Sequence, residues 1–149
     1  MSTIQDQDRS TLTQTQIRAL IPHAGAMCLL DQVLRWDLDT IDCLALSHRD
    51  PGNPLRRDGL LPVAAGIEYG AQAMAVHGGL VEPGPSPRGG YLAILTGVEW
   101  AVTRLDDCLE PLRVRAERMA VMANGSQYAF RVYAGERLLL AGEAVIALV

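Results

Sequence analysis

Lysine is missing from the chain, and all 13 basic residues are arginine. A Schiff-base lysine is therefore excluded as a catalytic group. Aromatic residues make up only 5% of the chain, and its three cysteines are Cys28, Cys43 and Cys108. Their odd number and irregular spacing predict neither a disulfide framework nor a metal site, and they favour a reducing cytoplasm as the location.

An excess of basic charge is also lacking, since 17 acidic residues outnumber 13 basic ones, and the net charge of −4 predicts no nucleic-acid partner. No apolar run is long enough to span a membrane, and the polar start lacks the hydrophobic core of a signal peptide. The length of 149 residues, 49% of them apolar, predicts one globular domain. We expect a flexible polar tail over residues 1–12 and a single domain over 13–149.

One helix that carries a single carboxylate is predicted over residues 62–79, which read PVAAGIEYGAQAMAVHGG. Pro62 is typical of a first helical turn, and Gly78 with Gly79 is a stop signal. The predicted buried face consists of apolar residues at helical spacing, which are Val63, Ile67, Ala71 and Met74. We expect Glu68, on an adjoining face, to be buried with the helix and therefore protonated or paired. The alternative is that Glu68 faces solvent or caps the backbone.

The rest of the chain is predicted to be mostly β-strand. Thr13 and Gln16 have the spacing of a capping box, which predicts a short helix before the first strand. Alternating or apolar runs predict six strands, at 27–36, 41–47, 91–102, 112–117, 127–132 and 138–149. Asn124 with Gly125 predicts a type I′ hairpin turn, and Gly135 predicts the next turn. Six strands with one long helix between the second and third predict an α+β fold.

An ordered, exposed loop is predicted over residues 48–61, because two prolines and two glycines interrupt a polar stretch there. The loop leads into the predicted helix, so its residues are well placed to line a pocket that Glu68 faces. His48 begins this loop and is a candidate titratable group. His23, beside the short helix, is by itself more typical of a capping or packing residue.

Two runs of residues resemble motifs of a known family. Residues 21–34, IPHAGAMCLLDQVL, are similar to the opening Pro-His and Leu-Leu-Val-Asp-Arg-Val run of the β-hydroxyacyl-acyl-carrier-protein dehydratases. Residues 61–75, LPVAAGIEYGAQAMA, are similar to their Pro-Gly, helix, Glu and Ala-Gln run. With Asn-Pro-Leu at 53–55, the chain looks most like the dehydratase-like proteins of aryl-polyene gene clusters. The resemblance implies a hot-dog fold, in which an antiparallel sheet wraps round one central helix.

The same resemblance implies a reaction and a site. These dehydratases convert 3-hydroxyacyl thioesters on acyl carrier protein into trans-2-enoyl thioesters, so the implied cofactor is none beyond the carrier's phosphopantetheine. Glu68 matches the family's acid. The thioester carbonyl is expected at the helix N-terminus, where free backbone N–H groups stabilise a developing enolate. The implied substrate-binding residues are Pro62, Ala64, Ala65, Gly66 and Gln72.

The family's catalytic base is not matched in this chain. Its usual His lies in the loop before the helix, at a position that falls near Pro54 here, and no His is present there. We expect His48 to be the base instead, with His23 and His77 as alternatives. By family analogy the acid and the base come from opposite subunits, which implies a homodimer or a heterodimer with a related hot-dog dehydratase.

Two other functions are compatible with the same fold. One is thioester hydrolysis, with an ionised Glu68 that activates water, and the other is a non-catalytic subunit that supports an active partner. For the dehydratase, the implied partner is acyl carrier protein, which is acidic. Its candidate contacts are Arg56, Arg57 and Arg88, although such arginines are also common on an ordinary solvated surface.

Overall fold

The computed structural model describes residues 11–21, 27–83 and 90–148. Its strands are β1 (Leu12–Thr13), β2 (Gln32–Trp36), β3 (Thr40–Ala45), β4 (Gly90–Trp100), β5 (Leu112–Met122), β6 (Gly125–Ala134) and β7 (Arg137–Leu148). Its helices are α1 (Gln14–Leu20) and α2 (Ala65–Val81), with a short 3-10 helix at Ser47–Arg49. The strands form one antiparallel sheet in the order β1-β2-β3-β5-β6-β7-β4. The predicted α+β class is confirmed, with seven strands in place of about six.

The additional strand is β1, which lies at the start of the described chain. Leu12 pairs with Val33 of β2 and is buried, although we had assigned it to the flexible tail. Residues 1–10 of the predicted tail lie outside the described residues. The capping box is confirmed, since the Thr13 hydroxyl accepts from the Gln16 N–H and the Gln16 side chain accepts from the Thr13 N–H at 2.8 Å.

Both predicted hairpins are present, but one turn differs by a residue. Gly135 has a φ of +60° between β6 and β7, as its turn requires. The β5–β6 connection consists of Ala123 and Asn124, whereas Gly125 belongs to β6 and pairs with Ala147. The predicted type I′ turn is wrong, because that turn needs a positive φ at both central residues and neither Ala123 nor Asn124 has one. A glycine is required at 125 because a Cβ there would lie 2.2 Å from the Ile146 carbonyl oxygen.

Helix α2 packs on the inner face of the sheet, and two glycines allow the close approach. A Cβ on Gly66 would lie 2.7 Å from Leu140 Cδ2, and one on Gly70 would lie 2.6 Å from Phe130 Cδ2. The other buried residues of the helix are Ala65, Tyr69, Gln72, Ala73, Met74, Val76 and His77. At Gly66 and Gly70, which have no side chain, large side chains of the sheet therefore fill the space beside the helix backbone.

The predicted buried face of α2 is largely wrong. Of the four residues assigned to it, only Met74 is buried, and Val63, Ile67 and Ala71 are half-buried. The pattern misleads because small or apolar residues occupy almost every side of this helix. The contact of the glycines with the sheet decides which side faces the core.

Candidate functional site

Glu68 lies in the first turn of α2 and is half-buried. Residues at spacings of three and four share a face of a helix, which places Glu68 beside Ala64, Ala65, Ala71 and Gln72. Ala64 is exposed and Ala71 is half-buried, whereas Ala65 and Gln72 are buried, so Glu68 lies at the boundary between the packed and the accessible sides of the helix. The expectation that Glu68 is buried is therefore wrong for the single chain.

The start of α2 is fixed by backbone hydrogen bonds. Pro62 precedes the helix and forms an isolated β-bridge with Arg104, so its predicted place in the first turn is wrong. The Val63 N–H donates to the Thr103 carbonyl at 3.0 Å. The next donors form tight turns, from the N–H groups of Ala65, Gly66 and Ile67 to the carbonyls of Pro62, Val63 and Ala64. These four N–H groups are therefore not free, contrary to the expectation of an open enolate site.

Gln72 ties the segment before β2 to the central helix. Its side-chain carbonyl accepts from the Leu29 N–H at 2.9 Å, and its amide donates to the Met27 carbonyl at 2.6 Å. Gln72 and Gly66 thus have contacts inside the domain that account for their burial. A substrate-binding role for the set Pro62, Ala64, Ala65, Gly66 and Gln72 stays a prediction.

His48 is fully buried in the 3-10 helix that follows β3. Its Nε2 lies 3.0 Å from the carbonyl oxygens of both Cys108 and Glu110. Carbonyls only accept, so Nε2 carries the proton and Nδ1 has the lone pair. Nδ1 is buried without a hydrogen-bond partner. Burial lowers the pKa of His48, so the neutral imidazole is favoured.

Asn53, which we had not identified as a functional residue, organises the loop before α2. It is buried, and its amide donates to the Ser47 carbonyl at 2.9 Å and to the Tyr69 hydroxyl at 3.1 Å. Its side-chain carbonyl accepts from the Leu55 N–H at 2.9 Å. The available signal was the Asn-Pro-Leu run near the position of the family's usual His. Here the neighbouring position 53 holds a structural amide, whereas most of the loop is exposed, as we expected.

His77 is the other histidine among the described residues. His77 is buried in α2, with Nδ1 2.7 Å from the Tyr128 hydroxyl and Nε2 2.8 Å from the Asp37 carbonyl oxygen. Its edge also contacts the Tyr128 ring. Both of its nitrogens are thus occupied within the domain. His23 lies outside the described residues.

The two described arginines that we expected to contact a carrier protein differ in their exposure. Arg56 is half-buried and donates to the carbonyls of Asp50, Gly59 and His48 at 2.9 to 3.2 Å. Its guanidinium therefore braces the loop, which contradicts our expectation of an exposed cation. Arg57 is exposed, whereas Arg88 lies outside the described residues.

Two further features of the described residues concern ligands and membranes. They contain no group of three or more His, Cys, Asp or Glu side chains that could hold a metal ion. No helix among them has both the length and the hydropathy that a bilayer span requires.

The architecture defines a class of proteins. An antiparallel sheet whose strands β3 to β7 all contact one long helix is the hot-dog fold. The chain belongs to the ApeP-like family, whose model is described as ApeP dehydratase and matches residues 15–147. The predicted resemblance to hot-dog dehydratases is thereby confirmed, and dehydration is favoured over hydrolysis.

Solved structures agree with the fold. The dehydratase heterocomplex ApeI:P from Xenorhabdus doucetiae is similar, with a TM-score of 0.79, 22% identity, and coverage of 89% of this chain and 90% of that one. A mutant thioesterase from Pseudomonas aeruginosa has a TM-score of 0.66 at 12% identity, with coverages of 95% and 96%. A thioesterase from Haemophilus influenzae has a TM-score of 0.58 at 11% identity, with coverages of 78% and 76%. No curated protein sequence matches the chain significantly.

Proposed function

We propose that this chain dehydrates 3-hydroxyacyl thioesters carried on acyl carrier protein, in the synthesis of a polyene or fatty acyl chain, and that Glu68 is the acid. The observation that carries the proposal is the position of Glu68, half-buried in the first turn of the central helix, with the partly exposed alanines Ala64 and Ala71 as neighbours at helical spacing. An apolar acyl chain fits against such a surface. The family model supports the reaction class.

The reaction requires one base and one acid. The base removes the Cα proton, the electron pair forms the C2–C3 double bond, and the C3–O bond breaks. Glu68 donates its proton to the departing hydroxyl, which leaves as water. The products are the trans-2-enoyl thioester and water, so no cofactor beyond the carrier's phosphopantetheine is consumed.

The base comes either from this chain or from a partner subunit, and the contacts of His48 bear on which. Among the described residues it is His48, through Nδ1, the ring nitrogen that has a lone pair and no protein partner, and His23 stays an alternative. The imidazole is fully buried and its Nε2 is held by two carbonyls, so substrate must reach the domain interior to use it. These contacts favour the second source, a base supplied by a partner subunit across a heterodimer.

The free edge of the sheet supports such a partner. Strand β4 is at one end of the strand order and is 11 residues long. It exposes large apolar side chains, with Tyr91 57%, Ile94 54% and Trp100 62% accessible. A long apolar edge strand is a template for pairing with another chain. We propose that the partner is a second hot-dog dehydratase chain, as in the heterocomplex that this chain resembles.

The test is enoyl-thioester formation from a 3-hydroxyacyl-carrier thioester, with free thiol measured in parallel. The chain is assayed alone and after co-expression with a second hot-dog dehydratase chain of the same organism. Glu68→Gln should abolish water loss in whichever form is active, and Glu82→Gln at the other end of α2 should not. Activity of the chain alone that disappears in His48→Asn would assign the base to this chain.

Other results have equally definite meanings. Activity that appears only in the complex and survives both His48→Asn and His23→Asn would assign the base to the partner. Release of free thiol from plain acyl thioesters, without water loss from hydroxyacyl ones, would replace dehydration by hydrolysis. Full activity of the Glu68→Gln complex would reduce this chain to a supporting subunit.

A further inference from the structure

The connection between β4 and β5, residues 101–111, contacts the two parts of the chain that carry Glu68 and His48. Toward α2, the Thr103 carbonyl accepts from the Val63 N–H, and the Leu105 N–H donates to the Leu61 carbonyl at 2.8 Å. Toward the 3-10 helix, the connection supplies both carbonyls that hold the His48 ring. One short segment thus braces both candidate residues.

Asp106 is the acidic side chain at the centre of this connection, and it is only 8% exposed. Its Oδ1 accepts from the Leu61 N–H at 2.9 Å and from Arg104 Nε at 3.1 Å. Its Oδ2 accepts from Arg104 Nη2 and lies 3.9 Å from Arg56 Nη1. Its backbone carbonyl accepts from Arg49 Nη1 at 2.8 Å. A buried carboxylate is tolerated because each oxygen is paired in this way.

These bonds form a continuous connection to the first turn of α2. Asp106 fixes Leu61, Pro62 is bridged to Arg104, and the Pro62 carbonyl accepts from the Ala65 N–H at 3.0 Å. The helix that begins at Ala65 has no side-chain cap at its N-terminus. The position of its first turn is therefore set by the preceding residues, which Asp106 and its connection hold.

We infer that Asp106 is a positioning residue for dehydration, which fixes the start of α2 and through it the carboxyl group of Glu68. The catalytic part of this inference rests on the proposed function. A shift of about 1 Å in a reacting group can cost on the order of 100-fold in rate, so a loosened helix start has a measurable consequence. The Arg104 guanidinium holds the pKa of Asp106 well below its usual range, so the carboxylate stays charged where the enzyme is assayed.

The test compares Asp106→Asn with Asp42→Asn in the active form of the protein. Asp42 is a matched control, because it is also a buried carboxylate that pairs with arginines, but it lies in β3 and its partners are Arg35, Arg113 and Arg115. Asp106→Asn keeps an oxygen for Leu61 and loses the charge that holds Arg104. We expect kcat to fall about tenfold or more with KM changed by less than about threefold, as for the loss of an interaction that matters in the transition state. Asp42→Asn should leave both constants within about twofold below its unfolding temperature.

A second measurement does not depend on activity. Amide hydrogen exchange of residues 61–68 should accelerate about tenfold or more in Asp106→Asn, and it should be unchanged there in Asp42→Asn. If wild-type protein shows no dehydration, the proposed function fails while this exchange experiment still tests the positioning. Unchanged exchange at 61–68, or equal losses of kcat in both variants, would overturn the role of Asp106.

Discussion

Gly70 of α2 lies directly against the ring of Phe130 in β6, where an added Cβ would be 2.6 Å from Cδ2 and 3.0 Å from Cγ. The contact brings the central helix closer to the sheet than any residue with a side chain allows. Gly78, in the same helix, has no neighbouring atom within 4 Å of an added Cβ. The two glycines therefore differ in what they do, although both weaken an isolated helix.

Substitution of these glycines should change stability in opposite directions. Gly70→Ala gains about 1 kcal/mol of helix propensity but overpacks against a rigid ring, so we expect a net loss of about 1 to 2 kcal/mol. Gly78→Ala should gain up to about 1 kcal/mol, because nothing opposes its propensity. Urea unfolding of both variants gives the comparison. Equal stabilisation of the two variants would show that the Phe130 ring moves aside without a loss of stability.

The bond between Tyr128 and His77 should also stabilise the fold. Nε2 of His77 faces a carbonyl and carries the proton, so Nδ1 accepts from the Tyr128 hydroxyl. Tyr128→Phe leaves this buried nitrogen without a donor and should cost about 1 to 3 kcal/mol. Tyr133→Phe, in the same strand, is the control, since its half-buried ring lies under Arg113. A loss that is no larger than in the control would mean that water replaces the donor.

Stability should fall between about pH 7 and pH 5, because two buried histidines are neutral in the folded chain. Burial lowers the pKa of His48 and of His77. The unfolded chain binds protons on these rings near their ordinary pKa of about 6.5. Their contribution is therefore complete above that pKa and is lost as the pH falls through it toward the lower folded values. Asp37 and Asp106, whose pKa values are also lowered, lose their contribution only in more acidic solution.

The measurement is the free energy of unfolding at half-unit steps from pH 8 to pH 5. The slope should be shallower in His77→Gln and in His48→Gln than in the wild type, and shallowest when both are replaced. A wild-type slope that persists in the double variant would assign the acid sensitivity to other groups.

Loss of the Asn53 amide should loosen the loop before α2. Asn53→Ala removes bonds to Ser47, Tyr69 and Leu55, and we expect it to cost about 2 to 3 kcal/mol. Asn124→Ala, at the exposed β5–β6 turn, should change stability by less than about 0.5 kcal/mol. Denaturant midpoints compare the two. A small effect at position 53 would contradict the structural role of this amide.

We expect a charge on the edge strand β4 to disrupt the association of this chain with a second subunit. Ile94→Lys places a charge on this exposed apolar strand and should shift the protein toward a single chain in light scattering. Leu38→Lys, at an exposed position between β2 and β3, should leave the mass unchanged. An unchanged mass for Ile94→Lys would place the subunit contact elsewhere.

Local sequence signals predicted several elements well. Thr13 with Gln16 identified the start of α1, Gly135 identified a turn, and alternating or apolar runs identified the long strands. These features depend on neighbours within a few residues, so propensity and spacing suffice. Motif order likewise pointed to the hot-dog dehydratases.

The candidate site was harder to predict, because its parts meet across long stretches of chain. His48 looked like an exposed loop residue, but its ring is held by carbonyls 60 and 62 residues later. Asp106 gave no signal, since an acidic residue in a polar turn is ordinary until its buried partners are known. Arg56 resembled a surface cation for the same reason.

The sequence by itself determined the class of fold, the central helix and the carboxylate that it carries, because periodicity, turn residues and motif spacing are local properties. Only the tertiary structure decided which face of α2 is buried, since its residues are small or apolar almost all round and the close packing of Gly66 and Gly70 selects the face. It also decided that His48 and Asn53 are buried and that hydrogen bonds hold their side chains. Polar groups enter a core only where distant partners satisfy them, and those partners become visible only in the folded chain.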